Sequence, residues 1–396
     1  MNRRFSQPIA ILLTFITIVL VMPPAVIISD AGMLSPGSVT PTPVPAPDNG
    51  SQPQPPGTSI DTTDPDDTTE PEPGSEPDPT PDPFVTITIS AAGDVTLGGD
   101  YRPGSYQNFM NEFVANDRDF GFPFQNVRHI FAEDDLTVVN FEGTLTNLTR
   151  HRSDRNFVFR APPEFAMSLV LGNIDIVSLA NNHSNDYYDA GYHETIEHLD
   201  NAGILSFGNE RNTIVEVKGI NIGFFGICFF FTGDTREQRD NIIAAIEDLK
   251  DRGANLIIAF FHWGEQGHTR PSRLQRDIGR FTVDNGADLV LGSHPHMIQG
   301  IEVYNGRNIV YSLADFSFGG NRLYHVDGDN IRFYTFIFQQ TFTFIDGVLQ
   351  QDNMTNIIPA RITSHRNHNN YQPTPAEGEL AARILSEIQK LSDELN

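Results

Sequence analysis

The sequence predicts an α/β fold with a polar site at the ends of its strands. Short apolar runs alternate with amphipathic segments of helical period over most of residues 84–320. Acidic, amide and imidazole side chains cluster directly after five of these runs. Because α/β proteins place their ligands beyond the ends of their strands, the clusters are candidates for one shared site.

The apolar runs have the length and the β-branched content of buried strands. They lie at 84–90, 136–141, 174–180, 221–228, 255–261, 287–291 and 308–313. Helical spacing predicts a short helix near 164–171 and longer helices at 189–202, 236–252 and 272–285. Phe109, Met110 and Phe113 also stand at helical spacing.

After residue 330, the alternation of strands and helices gives way to a pattern that predicts antiparallel strands and one closing helix. Residues 332–338 and 341–345 alternate and predict antiparallel strands, and Asp346-Gly347 is a turn signal. Thr374-Pro375-Ala376-Glu377 predicts a capping box for a closing helix. The apolar stripe of that helix consists of Leu380, Ile384, Ile388, Leu391 and Leu395. The stripe could pack on the body or on a partner, and packing on the body is the favoured interpretation.

Charge and cysteine content exclude two classes of protein. The 396-residue chain has a formal charge of −25, which argues against a nucleic acid partner because a phosphate backbone requires a basic footprint. A single cysteine excludes a disulfide framework. Cys228 lies among apolar residues, which favours a small core residue over a nucleophile.

The N-terminal region predicts targeting to the outside of the cytoplasm. Arg3 and Arg4 precede an apolar run over 8–28, which suits either a cleaved signal peptide or a retained anchor, and we favour the anchor. Residues 36–83 hold ten acidic residues and no lysine or arginine, a composition that predicts a disordered spacer. The positive flank places the N-terminus inside and the rest of the chain outside.

The clusters after the strands carry the chemistry. Each member alone has a simpler explanation, such as a turn aspartate after the first strand or a surface loop at Gly292-Ser293-His294-Pro295-His296. His294 and His296 are two residues apart on a segment expected to be extended, so their rings should point to the same face. Together, carboxylate, amide and imidazole groups suit one or two divalent ions. The residues that the strand ends deliver are Asp94, Asn140, Glu142, Asn182, His183, His262, His294 and His296.

Several motifs resemble the CapA family of bacterial capsule, or poly-γ-glutamate, synthesis proteins. They are Gly93-Asp94-Val95-Thr96-Leu97-Gly98, Asn140-Phe141-Glu142-Gly143-Thr144-Leu145-Thr146, Ser178-Leu179-Ala180-Asn181-Asn182-His183, His262-Trp263-Gly264-Glu265, Gly292-Ser293-His294-Pro295-His296 and Tyr311-Ser312-Leu313-Ala314-Asp315-Phe316. That family is similar in fold to the calcineurin-like metallophosphatases. The resemblance therefore implies a four-layer α/β/β/α sandwich with metal ligands on strand-end loops.

Carried over residue by residue, the resemblance implies a ligand set and two residues beside the metal. The implied ligands are Asp94, Glu142 (as the bridging carboxylate), Asn182, His262, His294 and His296. His183 resembles the histidine that faces the substrate, with Asp186 orienting it, and Glu265 is expected to orient His262. The phosphatases have histidine where this chain has Thr96, so one of two metal positions is expected to be weak or empty.

The expected chain organisation has four parts. Residues 1–31 are a signal peptide or anchor, 32–83 a linker, 84–362 a CapA-like metallophosphatase-fold domain, and 363–396 an extension with an amphipathic helix. Residues 84–396 hold 24 basic and 40 acidic residues, a formal charge of −16. This charge is in tension with an anionic partner, which bound divalent cations would partly relieve.

Three functions remain open on the sequence alone. The favoured one is an extracytoplasmic, membrane-anchored or secreted capsule biosynthesis protein with a metal-dependent, hydrolase-like or transferase-like site. Its expected partners are an anionic cell-surface polymer, the membrane through the N-terminal segment, and other capsule-synthesis membrane proteins. The alternatives are a cell-surface metal-dependent phosphoesterase and a non-enzymatic scaffold with a vestigial metal site.

Overall fold

A computed structural model describes residues 84–102, 105–209, 211–230, 233–319 and 330–395. The predicted targeting segment (1–31) and linker (32–83) lie outside these residues. Across the described ranges, none of the helices combines the length and apolar character that crossing a membrane requires.

The strands form two large sheets and one small one. In chain order they are β1 (Phe84–Val95), β2 (Gly99–Asp100), β3 (Leu136–Phe141), β4 (Thr144–Leu145), β5 (Phe159–Ala161), β6 (Ile176–Ser178), β7 (Leu205–Phe207), β8 (Thr213–Val217), β9 (Ile220–Cys228), β10 (Leu256–His262), β11 (Leu289–Ser293), β12 (Ile301–Tyr304), β13 (Arg307–Val310), β14 (Tyr334–Ile345), β15 (Val348–Leu349), β16 (Met354–Arg361) and β17 (Thr374–Pro375).

The helices cover the outer faces of the sheets and one edge. They are α1 (Ser105–Ala115), α2 (Arg128–Phe131), α3 (Ala166–Leu171), α4 (Tyr188–Asn201), α5 (Arg236–Asp251), α6 (Arg273–Asp284) and α7 (Gly378–Asp393), with short 3₁₀ turns at 122–124, 163–165 and 331–333. The side chain of Ser272 and that of Gln275 form a capping box that fixes the start of α6.

The first sheet has the order β17-β16-β14-β1-β3-β6-β7, with β15 paired to β14, and the second has the order β12-β13-β11-β10-β9-β8. β1, β3, β6 and β7 run parallel, as do β9, β10, β11 and β13. A small third sheet, β2-β5-β4, lies after the ends of β1 and β3. In each large sheet, the carboxyl ends of four parallel strands therefore lie at the same edge.

Three apolar cores separate four layers. One core lies between the sheets and includes Ile89 of β1 and Ile258 of β10. A second packs the other face of the first sheet on α1, α3 and α4, and a third packs the other face of the second sheet on α5 and α6. The predicted α/β/β/α sandwich is therefore confirmed. Alternation along β1 and β10 sends successive side chains into different cores.

The C-terminal part differs from expectation in two places. The two strands predicted at 332–338 and 341–345 form one strand, β14, because it pairs along its length with β1 and β16. The predicted capping box is wrong: Thr374 and Pro375 pair with β16, so α7 begins at Gly378 after Glu377. The turn at Asp346-Gly347 is confirmed, and both residues have positive φ.

The closing helix packs on the body, as the sequence favoured. Ile384, Ile388 and Leu391 belong to the core between the sheets. Near the end of α7, the Ser392 hydroxyl accepts a hydrogen bond from the Ile301 backbone N–H at 2.9 Å. α7 therefore covers the edge of the inter-sheet core beside β12 and β16.

Truncation of Ile384 should destabilise the whole protein. Its side chain is fully buried, so Ile384→Ala should lower the free energy of unfolding by about 2–5 kcal/mol. The neighbouring Leu385 is 39% exposed, and Leu385→Ala should change it by less than about 0.5 kcal/mol. Urea unfolding of both variants measures the difference, and equal midpoints would show that α7 is not part of the core.

Candidate metal centre

The strand-end residues of both sheets meet at one place. Asp94 lies near the end of β1, Glu142 directly follows β3, and Asn182 lies in the turn after β6. From the second sheet, His262 is the last residue of β10 and His294 directly follows β11. All five side chains are buried. The predicted convergence of the strand ends is therefore present.

One group of nitrogen and oxygen atoms centres on His262. Its Nε2 lies 2.5 Å from Asn182 Oδ1, 3.0 Å from His294 Nδ1 and 3.8 Å from Glu142 Oε1. Ligand atoms of Asp94, Glu142 and His262 also lie within 4.8 Å of one another. One shared proton cannot serve so many converging acceptor atoms, whereas a cation can.

A second group joins Asp94, His296 and Asp315. The Nδ1 atom of His296 lies 2.7 Å from Asp315 Oδ1 and 3.3 Å from Asp94 Oδ2. Asp315 and Asp94 are fully buried, and His296 is partly buried. Asp315 lies in one of the motifs that resemble the CapA family, but no role for it was predicted from the sequence. Its position shortly after the predicted strand at 308–313 was the feature of the sequence that could have indicated a role at the site.

Asn140 links the two groups without offering them an oxygen. Its Nδ2 donates to Asp94 Oδ1 at 2.7 Å and lies 3.3 Å from His262 Nδ1. Its Oδ1 accepts from Asn181 Nδ2 at 3.2 Å. Asn140 therefore holds the Asp94 carboxylate in place, leaving the other Asp94 oxygen to face the second group.

Buried carboxylate oxygens at this centre are left without hydrogen bonds. Within the described residues, Asp94 Oδ2, both oxygens of Glu142 and Asp315 Oδ2 accept none. Burying such oxygens is unfavourable unless they are paired or bind a metal. The donor set of carboxylates, imidazoles and an amide fits divalent cations of the first transition row.

The pKa values of the residues at this centre are shifted by burial and by their charged neighbours. Burial, followed by the negative charge of Asp94, raises the pKa of Glu142 well above its usual value. Burial, followed by the other histidines, lowers the pKa of His262 well below its usual value and that of His294 to about 3. Burial opposes protonation of His296, but Asp315 and Asp94 outweigh it and raise its pKa. His262 and His294 are therefore neutral at pH 7, as metal ligation requires.

A histidine–aspartate pair lies beside the carboxylates. His183 Nδ1 contacts Asp186 Oδ2 at 2.7 Å, and His183 Nε2 lies 3.8 Å from Glu142 Oε1. Asp186 Oδ2 also accepts from the Phe159 backbone N–H at 2.6 Å, and the Phe159 ring lies 4.1 Å from the His183 ring. The predicted contact between His183 and Asp186 is confirmed. Because Nδ1 of His183 contacts Asp186, Nε2 is the ring nitrogen that faces Glu142.

Two predictions made from the sequence are wrong. Glu265 lies exposed beside His268, since the chain turns outward at Gly264, which has positive φ. The partners of His262 Nδ1 are instead Ser293 Oγ at 2.9 Å and Asn140.

The segment 294–296 is not extended either, because His294 and His296 have φ of 95° and 54°. The two rings do not share one face but serve different groups, the first facing His262 and the second facing Asp315.

Cys228 is not the fully buried core residue that the sequence predicted. It is partly buried at the end of β9 and lines a cavity of about 580 Å³ with Asn185, Asn209 and Asn212. Burial raises the pKa of its thiol to about 12. The thiol is thus protonated at neutral pH, which agrees with the expectation that it is not a nucleophile.

More than half of this chain matches a known protein family. The family model for the bacterial capsule synthesis protein PGA_cap matches residues 88–320, which is more than half of the chain. The chain belongs to this family. The match contains both atom groups described above, and it confirms the resemblance that the motifs indicated.

Two curated relatives are similar to this chain over part of their length. The capsule biosynthesis protein CapA of Bacillus anthracis is 26% identical over 255 residues, covering 59% of this chain and 60% of that protein. The PGA biosynthesis protein CapA of Bacillus subtilis (strain 168) is 28% identical over 239 residues, covering 56% and 62%. The chain therefore spans about 60% of the length of these relatives.

One solved structure is a weaker match. A phosphatase of Mycoplasma pneumoniae aligns with 73% of this chain and 96% of its own, at 11% identity and a TM-score of 0.38. This similarity carries no argument about the activity of this protein.

A close backbone approach at Gly93 holds the two groups together. The Asp94 N–H donates to the Ala314 carbonyl at 3.0 Å, and the Phe316 N–H donates to the Asp94 carbonyl at 2.8 Å. A Cβ built at Gly93 would lie 1.8 Å from the Ala314 oxygen. Glycine is therefore required here for Asp315 to reach Asp94.

Gly93→Ala should lower the free energy of unfolding by about 3 kcal/mol, since backbone atoms would have to separate. Gly143 is a nearby control, because its added Cβ would meet nothing closer than 3.5 Å, and Gly143→Ala should cost less than about 1 kcal/mol. The fluorescence of Trp263, the single tryptophan, reports unfolding in urea. Equal losses in the two variants would contradict this account of Gly93.

Proposed function

We propose that this protein is a membrane-tethered, extracytoplasmic capsule biosynthesis protein whose site acts on an anionic polymer of the poly-γ-glutamate type with the help of divalent cations. Family membership supports the capsule role. Two relatives are named for capsule and PGA biosynthesis, and they suggest the polymer. The tether and the outside location rest on the sequence of residues 1–83 alone.

The observation that carries the metal dependence is the set of buried carboxylate oxygens without hydrogen bonds. We assign Asn182, His262 and His294 to one cation position, and Asp94, His296 and Asp315 to the other. Glu142 would be the carboxylate available to both positions. Asp315 would supply an anionic ligand to the position that Thr96 was expected to leave weak.

The chain's own groups provide the rest of the chemistry. A bound divalent cation lowers the pKa of water and polarises a scissile bond. Asp186 holds His183 through Nδ1, and Phe159 packs on its ring, so Nε2 stays directed at the centre. From that position His183 would donate a proton to the leaving group.

A cell-surface phosphoesterase is the second candidate. The ordered His183–Asp186 pair favours an enzyme over a scaffold, because a vestigial site has no need for an oriented proton donor. The site geometry alone does not select an amide over a phosphoester. Family membership is what favours the capsule polymer.

The full chain, purified in detergent with Mn²⁺, should bind two cations by elemental analysis. Asp315→Asn should retain one and bind the other at least about 100-fold more weakly, since loss of an outer partner alone costs 10–100-fold. Glu302→Gln is a matched acid-to-amide control, because Glu302 is buried with Arg280 and Tyr311. Wild-type protein without bound metal would refute the metal-dependent site.

His183→Ala should lower turnover by about 10²–10⁴-fold on substrates with poor leaving groups, and less on aryl phosphates, because only poor leaving groups need the proton. His193→Ala is the control, since His193 is exposed on α4. The assays follow γ-glutamyl cleavage, alkyl phosphate and aryl phosphate with Mn²⁺. Equal turnover by wild type and His183→Ala would remove His183 from the reaction.

A further inference from the structure

A strongly basic segment lies beside His183. Residues 147–160, here called the arginine segment, contain Arg150, Arg152, Arg155 and Arg160 but only one acid, Asp154. The segment therefore has a formal charge of +3, whereas residues 84–396 together have −16. One sixth of the basic residues of the body lie in these 14 positions, opposite in sign to their surroundings.

The arginine segment is fastened to the turn that carries the histidine. The Arg152 backbone N–H donates to the Asp186 carbonyl at 2.8 Å, and the Phe159 N–H donates to the Asp186 carboxylate. The Phe159 ring packs on His183. Arg152 and Phe159 thus fix the segment to the turn that carries His183. The arginines of the segment therefore lie beside the site.

Tyrosines position three of the guanidinium groups. Arg150 and Arg152 lie 5.1 and 6.0 Å from the centre of the Tyr188 ring. Arg160 lies 3.8 Å from the Tyr101 ring centre and 5.6 Å from that of Tyr187. Tyr187 and Tyr188 directly follow Asp186, so the cations surround this turn.

These cations retain donors for a ligand. Among the residues that the structure describes, Arg150 and Arg160 form no ion pair, and Arg152 pairs with Asp154 at the surface. Arg160 Nη1 donates to the Leu148 carbonyl, which uses one of its five N–H groups. Arg150 is exposed.

We propose that Arg150 and Arg160, with the Asp154-paired Arg152 beside them, form a subsite that binds carboxylates of a polyanionic substrate next to His183. The planar guanidinium fork matches the two oxygens of a carboxylate. Because salt screens charges beyond about 8 Å at physiological ionic strength, the acids of the body that lie farther away weaken anion binding at this segment little. The inference rests on the proposed function for its polymer, and it explains how an acidic protein holds an anionic chain.

The test is equilibrium binding of a fluorescent poly-γ-glutamate oligomer to the full-length protein in detergent, at 50 and 200 mM NaCl. The double variant Arg150→Gln/Arg160→Gln should bind at least tenfold more weakly and show a smaller salt dependence. Arg236→Gln/Arg273→Gln is the matched control, because these side chains on α5 and α6 are each 94% exposed, and it should bind like wild type. Neutral poly-γ-glutamine should bind none of the proteins.

The outcomes separate the two proposals. Wild-type binding that the double variant retains would overturn the subsite and leave the proposed function standing. Failure of wild type to bind the oligomer would refute the polymer and the subsite together. Inorganic polyphosphate bound more tightly than the oligomer, and lost in the double variant, would overturn the carboxylate assignment.

Circular dichroism shows whether each variant folds. Should Arg160→Gln prevent folding, Arg150→Gln alone should still weaken binding about threefold, since this side chain supports no described backbone contact. Unchanged binding by Arg150→Gln would then count against the subsite. Metal content should be unaltered in both arginine variants, which separates this readout from the cation positions.

Discussion

The two sheets are joined at the site by main-chain hydrogen bonds of the segment 313–317. Leu313 N–H donates to the Gly292 carbonyl at the end of β11. On its other side the segment exchanges hydrogen bonds with Asp94, and Thr96 N–H donates to the Ser317 carbonyl. Because one strand end of each sheet is tied to the same short segment, the relative position of the two sheets at this end is fixed. Every distance between a carboxylate of the first sheet and a histidine of the second depends on this link.

This link brings like charges together in a dry environment. Asp94, Glu142 and Asp315 are fully buried within one small region, where an unpaired ionised carboxylate is strongly disfavoured. Asn140 donates a hydrogen bond to Asp94, and His296 contacts Asp315, so some of these carboxylate oxygens have partners. In the proposed function, the remaining oxygens would make cation binding and folding interdependent, because a ligand that binds only the folded state shifts the unfolding equilibrium by mass action. In the proposed function, the ions are thus both reagents and structural ties between the sheets.

The sequence was informative wherever a local pattern determines the structure. Asp94, Glu142 and His262 could be placed because each ends an apolar strand, and the ends of parallel strands meet at one edge. Asp315 could not be given a role, since its place depends on a backbone bridge to a strand more than 200 residues away. The predictions for Glu265 and for the segment 294–296 were wrong for a related reason. Positive φ values at Gly264, His294 and His296 redirect the chain, and spacing in the sequence does not reveal them.

The direction of β1 determines how the site faces its surroundings. The strand runs from Phe84, paired with Ile345 beside the turn at Asp346-Gly347, to Asp94 at the opposite end of the sheet. Ten residues of extended chain span roughly 33 Å. The described part of the chain therefore begins at one end of the first sheet and carries its candidate site at the other. A large substrate would reach the arginine segment and the carboxylates at the end of β1 away from Phe84.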